Sequence, residues 1–191
     1  MDIVGAIRSA PLIDLGLLLG LTAFFFLGVV QGAIRRLLGI ASMLVAFVLA
    51  ANLRDPVGDF LAGNWTQFDL GYNRLLAFGI VFAAGSVAAS ITIQGFYKRQ
   101  DLSTEHPIAD DIVGGLLGLL QGIVVLTMLV IIFNSYTLPA PHTGDVTQVR
   151  DAQNLIIHES NIAGADRDFL VPPFVHVLSP LLPGDLVTLF P

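Results

Sequence analysis

Cysteine is absent from the 191 residues, and charged residues are scarce. Without cysteine the chain cannot form disulfides, thiolate nucleophiles or cysteine-ligated metal centres. Only 13% of the residues are charged and 54% are hydrophobic, so a water-soluble fold would have too little polar surface to cover its apolar interior. The composition therefore predicts a protein whose main partner is the lipid bilayer.

Basic residues are also few and scattered. The chain has nine Lys and Arg residues in total, and its formal net charge is -6. Binding to the phosphates of a nucleic acid requires clustered Lys and Arg side chains. We therefore expect no nucleic-acid partner.

Four apolar segments are long enough, or nearly so, to cross about 30 Å of hydrocarbon as helices. They cover residues 12–34, 37–53, 75–97 and 112–136. The predicted fold class is an all-α membrane protein, with four transmembrane helices forming two hairpins within residues 1–136. The stretch between the second and third segments, residues 54–74, predicts a loop that lies on the membrane with Trp65 as an interfacial anchor.

Residues 137–191 form a separate region with a different composition. Its last apolar stretch, residues 169–191, contains five prolines. A fifth span would leave too many backbone groups without hydrogen bonds in lipid, because proline has no amide hydrogen. We expect a short extracytoplasmic tail of interfacial helical turns, packed at the membrane surface.

The basic residues indicate an orientation. Arg35 and Arg36 separate the first two segments, and Lys98 and Arg99 lie between the third and fourth. With four spans these two sites share one side of the membrane, and basic residues resist translocation, so this side is expected to be cytoplasmic. Each arginine would cost at least about 2.5 kcal/mol at mid-membrane, which favours a cytoplasmic turn at the interface. A re-entrant pair of segments is the alternative.

Glycines recur at intervals of four residues on two predicted helices. Gly28 and Gly32 lie near the end of the first, and Gly114, Gly118 and Gly122 lie on the fourth. Such glycine ridges allow helix backbones to approach closely in lipid. The pattern predicts close helix packing, with a lined substrate path as the alternative.

Polar side chains near these ridges are candidates for function. Gln31 and Gln121 could hydrogen-bond between helices or form part of a polar conduit. Asp110 and Asp111 precede the fourth helix, where capping and the helix dipole explain carboxylates more simply than a metal does. The pattern predicts no catalytic residue, no metal site and no cofactor.

Asp14 is the one ionisable residue expected inside a span. An ion-coupled carrier usually needs such a residue at membrane depth. Asp14 lies near the start of its helix, however, so a solvated carboxylate that interacts with the helix dipole is the simpler interpretation. This interpretation predicts that Asp14→Asn is nearly silent.

Two stretches resemble the colicin V production protein family. One is Gly-Val-Val-Gln-Gly-Ala-Ile-Arg-Arg at residues 28–36, and the other is Asp-Asp-Ile-Val-Gly-Gly-Leu-Leu-Gly-Leu-Leu-Gln-Gly at residues 110–122. The resemblance covers roughly residues 12–133. It implies a small four-span protein of the bacterial cytoplasmic (inner) membrane, with a role in toxin production or export or in envelope stress tolerance.

Three functional hypotheses follow. The first is a non-enzymatic accessory protein for toxin production or export and envelope homeostasis, which associates with itself or with another membrane protein through its glycine faces. The second is a small channel or transporter for a neutral or amphipathic solute. The third is a membrane anchor or oligomerisation module.

Overall fold

The computed structural model describes residues 11–96, 107–137 and 159–188, and the regular structure of these residues is helical. The helices are α1 (Leu12–Gln31), α2 (Ala33–Asn64), α3 (Leu70–Phe96), α4 (Pro107–Thr137), α5 (Asn161–Phe169), α6 (Val171–Leu178) and α7 (Gly184–Thr188). The first four are long and apolar enough to cross a membrane. The predicted all-α fold with four transmembrane helices and a helical tail is confirmed. Lys98 and Arg99 lie outside the described residues.

A single residue, Gly32, separates α1 from α2. Its φ is +78°, a conformation that L side chains rarely adopt. Asp110 of α4 lies against this turn, and its Oδ1 accepts a hydrogen bond of 3.0 Å from the amide of Ala33. The carboxylate thereby satisfies one of the free N–H groups at the start of α2. Arg35 and Arg36 consequently belong to the helix and not to the turn.

α2 is longer than the apolar segment that predicted it. The helix continues through Pro56 to Asn64, so the loop expected over residues 54–74 is reduced to residues 65–69. Trp65 follows the last residue of α2, and 43% of its surface is exposed. Its role as an interfacial anchor stays a prediction.

Ion pairs hold this extension of α2 to α3. Arg74 of α3 lies 3.4 Å from Asp55 and 3.1 Å from Asp59. Between them, a Cβ on Gly58 would lie 2.5 Å from Cγ of Arg74, so the close approach of the helices depends on glycine. Charged residues that hydropathy assigns to a loop therefore extend an antiparallel helix pair.

The four long helices associate mainly as two pairs. α3 packs on α2, and α4 packs on α1, while α3 and α4 touch at few positions. We call the end of the bundle where α1 meets α2 the arginine end. The opposite end, where α1 begins and α5 to α7 pack, is the tail end.

The hydrophobic core lies toward the tail end. Its largest fully buried side chain is Phe47 of α2, which contacts the rings of Phe78 and Phe174 edge to face, at 5.7 and 5.9 Å between centroids. Side chains from the long helices and from the tail share this core, among them Ala50, Ala51, Leu126, Val130, Ile131, Ala163, Val171, Val175, Leu182 and Leu186. The short helices of the tail therefore complete the core of the bundle.

Candidate functional site

The glycine ridges of α1 and α4 face each other. A Cβ on Gly114 would lie 2.6 Å from the carbonyl oxygen of Gly28, and one on Gly118 would clash with the carbonyl oxygen of Phe24. A Cβ on Gly122 would lie 3.2 Å from side-chain atoms of Phe24. The two helices thus touch backbone to backbone, as small residues permit. This ridge of α4 is covered within the chain and is not open to a partner.

Arg36 is directed into the bundle by the first turns of α2. Only 5% of its surface is exposed, and its Nη1 donates a hydrogen bond of 2.6 Å to Oε1 of Gln121, which is also buried. Its Nε and Nη2 are buried without a hydrogen-bond partner, and no carboxylate of the described residues pairs with it. Arg36 is therefore a buried cation, which the sequence pattern did not indicate.

The position of Gln121 shows how deep this cation lies. Gln121 is near the middle of the apolar part of α4, Ala109–Asn134. An arginine at the centre of a membrane helix costs about 2.5 to 3.5 kcal/mol on insertion scales. A single hydrogen bond does not offset this unfavourable free energy of burial. Charged residues at membrane depth are typical of functional sites.

Arg36 lines a cavity of about 350 Å³, which we call the arginine cavity. Two arginines, two glutamines and three serines contribute to its wall: Gln31, Arg35, Arg36, Ser42, Ser86, Ser90 and Gln121. They come from all four long helices. Among the described residues, no carboxylate lines the cavity.

The hydrogen-bonding groups in this wall favour an anion. Gln121 is oriented by its neighbours, since its Oε1 accepts from Arg36 and its Nε2 lies 3.7 Å from Sδ of Met43. The hydroxyl of Ser86 on α3 is buried and has no hydrogen-bond partner. Guanidinium groups only donate hydrogen bonds, and hydroxyls can donate. The cavity can therefore bind an acceptor group with negative charge.

The other candidate residues are placed apart from this cavity or at its edge. Gln31 is exposed and lines the cavity together with Gln121. Asp110 caps α2, and Asp111 is exposed on α4. Among the described residues, no group of three or more His, Asp or Glu side chains could hold a metal ion.

Asp14 is buried at the tail end, so the expected solvated carboxylate is wrong. Only 7% of its surface is exposed. It accepts hydrogen bonds from the hydroxyl of Ser160 at 2.5 Å, from the amide and side chain of Asn161 at 3.2 and 3.1 Å, and from the amide of Ile162 at 3.3 Å. Asp14 thus caps α5, a segment distant in the chain that local spacing does not reveal.

A second buried carboxylate, Asp166, links α5 to α4. Its Oδ1 accepts a hydrogen bond of 2.8 Å from the hydroxyl of Thr127, and only 4% of its surface is exposed. Burial raises the pKa of Asp166 to about 6, and the hydrogen bond from Thr127 opposes this shift. Sequence reasoning missed this residue, although a threonine within the apolar run of α4 is a signal of a polar contact.

The last helix is attached to α2 by polar contacts. Arg54, buried on α2, forms an ion pair with Asp185 of α7 and lies 3.4 Å from Asp55. The side chain of Asn52 donates a hydrogen bond of 2.8 Å to the carbonyl oxygen of Leu181. Together with Asp14 and Asp166, these contacts hold the tail on three of the long helices.

The family model described as Colicin V production protein matches residues 13–163, which is most of the chain. This match confirms the resemblance carried by residues 28–36 and 110–122. With the four apolar helices, it identifies a multi-pass membrane protein. Searches of curated proteins and of solved structures gave no match.

Proposed function

Since this chain belongs to the colicin V production protein family, we propose that it is a non-enzymatic accessory protein of the bacterial cytoplasmic membrane. In this role it supports the production or export of a colicin V-type toxin and the homeostasis of the cell envelope. The arginine end faces the cytoplasm in this proposal, because basic residues resist translocation.

The arginine cavity is the observation that carries this proposal. An accessory protein acts by recognising another molecule, and the cavity holds hydrogen-bond donors at the arginine end of the bundle. Arg36 is the central donor, because two of its three nitrogen atoms have no partner among the described residues. A buried, incompletely paired cation costs stability, so its presence favours a role in binding.

The partner protein is a second copy of the chain or another membrane protein. The glycine ridge of α4 is covered by α1, so we place the contact on another surface. A Cβ added to Gly16 or Gly20 on α1 would meet no neighbouring atom within 4 Å, which leaves room for an incoming helix. Packing of this kind needs no reaction centre.

A small transporter or channel is the second candidate function. The volume of the cavity, about 350 Å³, is in the range of sites that hold small ligands. Two arginines line it, so an amphipathic solute with a negative group fits this candidate better than a neutral solute does. This candidate also requires a path to both sides of the membrane.

Complementation tests the proposed function. A strain that lacks the gene is grown under bile-salt or acid stress and assayed for toxin export, with each variant produced at matched membrane levels. We expect Arg36→Gln to lose complementation and Arg167→Gln to retain it. Both variants remove one positive charge, but Arg167 is on α5 and lies outside the cavity.

Full complementation by Arg36→Gln would contradict a role that depends on the cavity. Flux measurements on the purified protein in vesicles separate the two candidates. Flux of an amphipathic anion that requires Arg36 would replace the accessory role with transport.

A further inference from the structure

We propose that the arginine cavity binds the phosphate of an anionic lipid headgroup, which enters between α3 and α4. This inference rests on the proposed recognition role of the cavity and names its ligand. Three observations support it: the geometry of Arg36, the number of donors and the surface beside the opening.

The free edge of Arg36 matches an oxyanion. Its Nη1 is engaged by Gln121, and the two nitrogens without a partner are Nε and Nη2. The N–H groups of Nε and Nη2 lie along one edge of the planar guanidinium and point in the same direction. Two parallel donors of this kind bind two oxygens of a phosphate or carboxylate at once.

The donors on the remaining wall favour phosphate over carboxylate. A carboxylate that binds the edge of Arg36 with both oxygens has no third oxygen to direct at the other donors of the wall. A phosphate has further oxygens, and the buried hydroxyl of Ser86 and the side chain of Arg35 are donors in the same cavity. Because the described lining residues carry two positive charges and no negative charge, an anion is also favoured over a zwitterion.

The surface beside the cavity favours a lipid as the source of the phosphate. Val87 of α3 is in the lining, and 58% of its surface is exposed. Ile80, seven residues before Val87, and Ile91, four residues after it, lie on the same face of α3. They are 52% and 65% exposed. An apolar strip therefore begins at the cavity wall, where acyl chains can lie while the headgroup enters the cavity.

Calorimetric titration of the purified full chain in mild detergent tests this inference. The probes are dihexanoyl phosphatidylglycerol, dihexanoyl phosphatidylcholine and inorganic phosphate. We expect the wild type to bind the phosphatidylglycerol most tightly. Arg36→Gln should weaken that binding by about tenfold or more, as expected for a lost charged hydrogen bond, and Arg167→Gln should bind like the wild type.

A second variant keeps the test decisive if Arg36→Gln does not fold. Ser86→Leu fills the cavity from α3 and leaves Arg36 in place, so it should also abolish binding of the phosphatidylglycerol. Equal binding by the wild type, Arg36→Gln and Ser86→Leu would overturn the inference. Inorganic phosphate that binds the wild type as tightly as the lipid would overturn the lipid as the source of the phosphate.

This test is independent of the growth assay. If Arg36→Gln binds the lipid normally but fails to complement, the ligand is wrong and the proposed function stands. If Arg36→Gln loses the lipid but complements fully, the proposed function is wrong and the site stands.

Discussion

At the tail end, Asp14 accepts hydrogen bonds from three residues and Arg54 pairs with carboxylates, whereas at the arginine end Arg36 has a single hydrogen bond. Asp14 and Arg36 thus differ in how many of their hydrogen-bonding groups are paired within the protein. A buried ion stabilises a fold only when its hydrogen-bonding groups are satisfied. Asp14 meets this condition and Arg36 does not, since two nitrogens of Arg36 are buried without a partner among the described residues.

Side-chain packing also differs between the two ends. At the tail end, side chains such as Val171, Val175 and Leu186 fill the space between the long helices. At the arginine end, the long helices leave the arginine cavity between them. The core side chains are therefore concentrated at the tail end, and the proposed binding site lies at the arginine end. Four predictions test this contrast, from the largest expected effect to the smallest.

Gly118 lies on the glycine contact between α1 and α4, and Gly118→Leu should disrupt this contact. A side chain at Gly118 meets the backbone of Phe24, which cannot move away as a flexible side chain can. We expect a loss of more than about 3 kcal/mol in unfolding free energy, measured by thermal unfolding in detergent. Gly79→Leu on α3 is the matched control, because a Cβ there has open space. Equal unfolding free energies for the two variants would show that α1 and α4 are not closely packed at Gly118.

The pKa of Asp166 predicts a pH dependence at the tail end. Its folded-state value of about 6 exceeds its ordinary value of 3.8, so the folded protein holds this proton more strongly than the unfolded chain does. The contribution to stability is present below about pH 4 and is lost as the pH rises to about 6, by roughly 3 kcal/mol at most. The difference in unfolding free energy between the wild type and Asp166→Asn should follow this course.

Asp168→Asn is the control for this pH dependence, since the side chain of Asp168 is 59% exposed. It should leave the pH profile unchanged. A profile for Asp166→Asn that is parallel to the wild type between pH 4 and 6 would show that Asp166 titrates normally.

Asp14→Asn tests the cap that holds α5, and it is not expected to be silent. An amide can present only one oxygen to the donors of Ser160 and Asn161, and its NH₂ group would face another donor. We expect a loss of about 2 kcal/mol and faster hydrogen exchange at Ile162 and Ala163. Asp111→Asn, at an exposed position, is the control. Identical exchange rates in the two variants would show that Asp14 does not cap α5.

Arg36→Met should have the smallest effect on stability, in contrast to Asp14→Asn. Methionine fills a similar volume without a charge, and apolar replacements of incompletely paired buried ions are often neutral or stabilising. We expect a change of less than about 1 kcal/mol in unfolding free energy. A loss of more than about 2 kcal/mol would reveal a stabilising partner for the guanidinium, and the contrast between the two ends would fail.

Several features of the fold could be predicted from the sequence because their physical causes are local. Apolar segments of sufficient length predict spans in any arrangement of the helices, and prolines in the last segment argue against a further span. The resemblance at residues 28–36 and 110–122 indicated the family that the match over residues 13–163 confirms. Part of the candidate site was also indicated, since Gln31 and Gln121 both line the arginine cavity.

Other features depend on contacts between distant segments. The extension of α2 to Asn64 packs against α3, where Arg74 forms ion pairs with Asp55 and Asp59. Hydropathy assigned that stretch to a loop because charge within one segment carries no information about its partner. The close contact at Gly58 is likewise visible only when both helices are present.

By itself, the sequence determined that this chain crosses the membrane as helices, that its glycines lie on ridges and that its tail is helical. Only the tertiary structure decided which charges are buried. Asp14 is covered because α5 returns to the start of α1, and Arg36 is covered in the bundle, where its side chain contacts Gln121 of α4. The cost of burying a charge depends on all the atoms around it, and those atoms come from segments that are far apart in the chain.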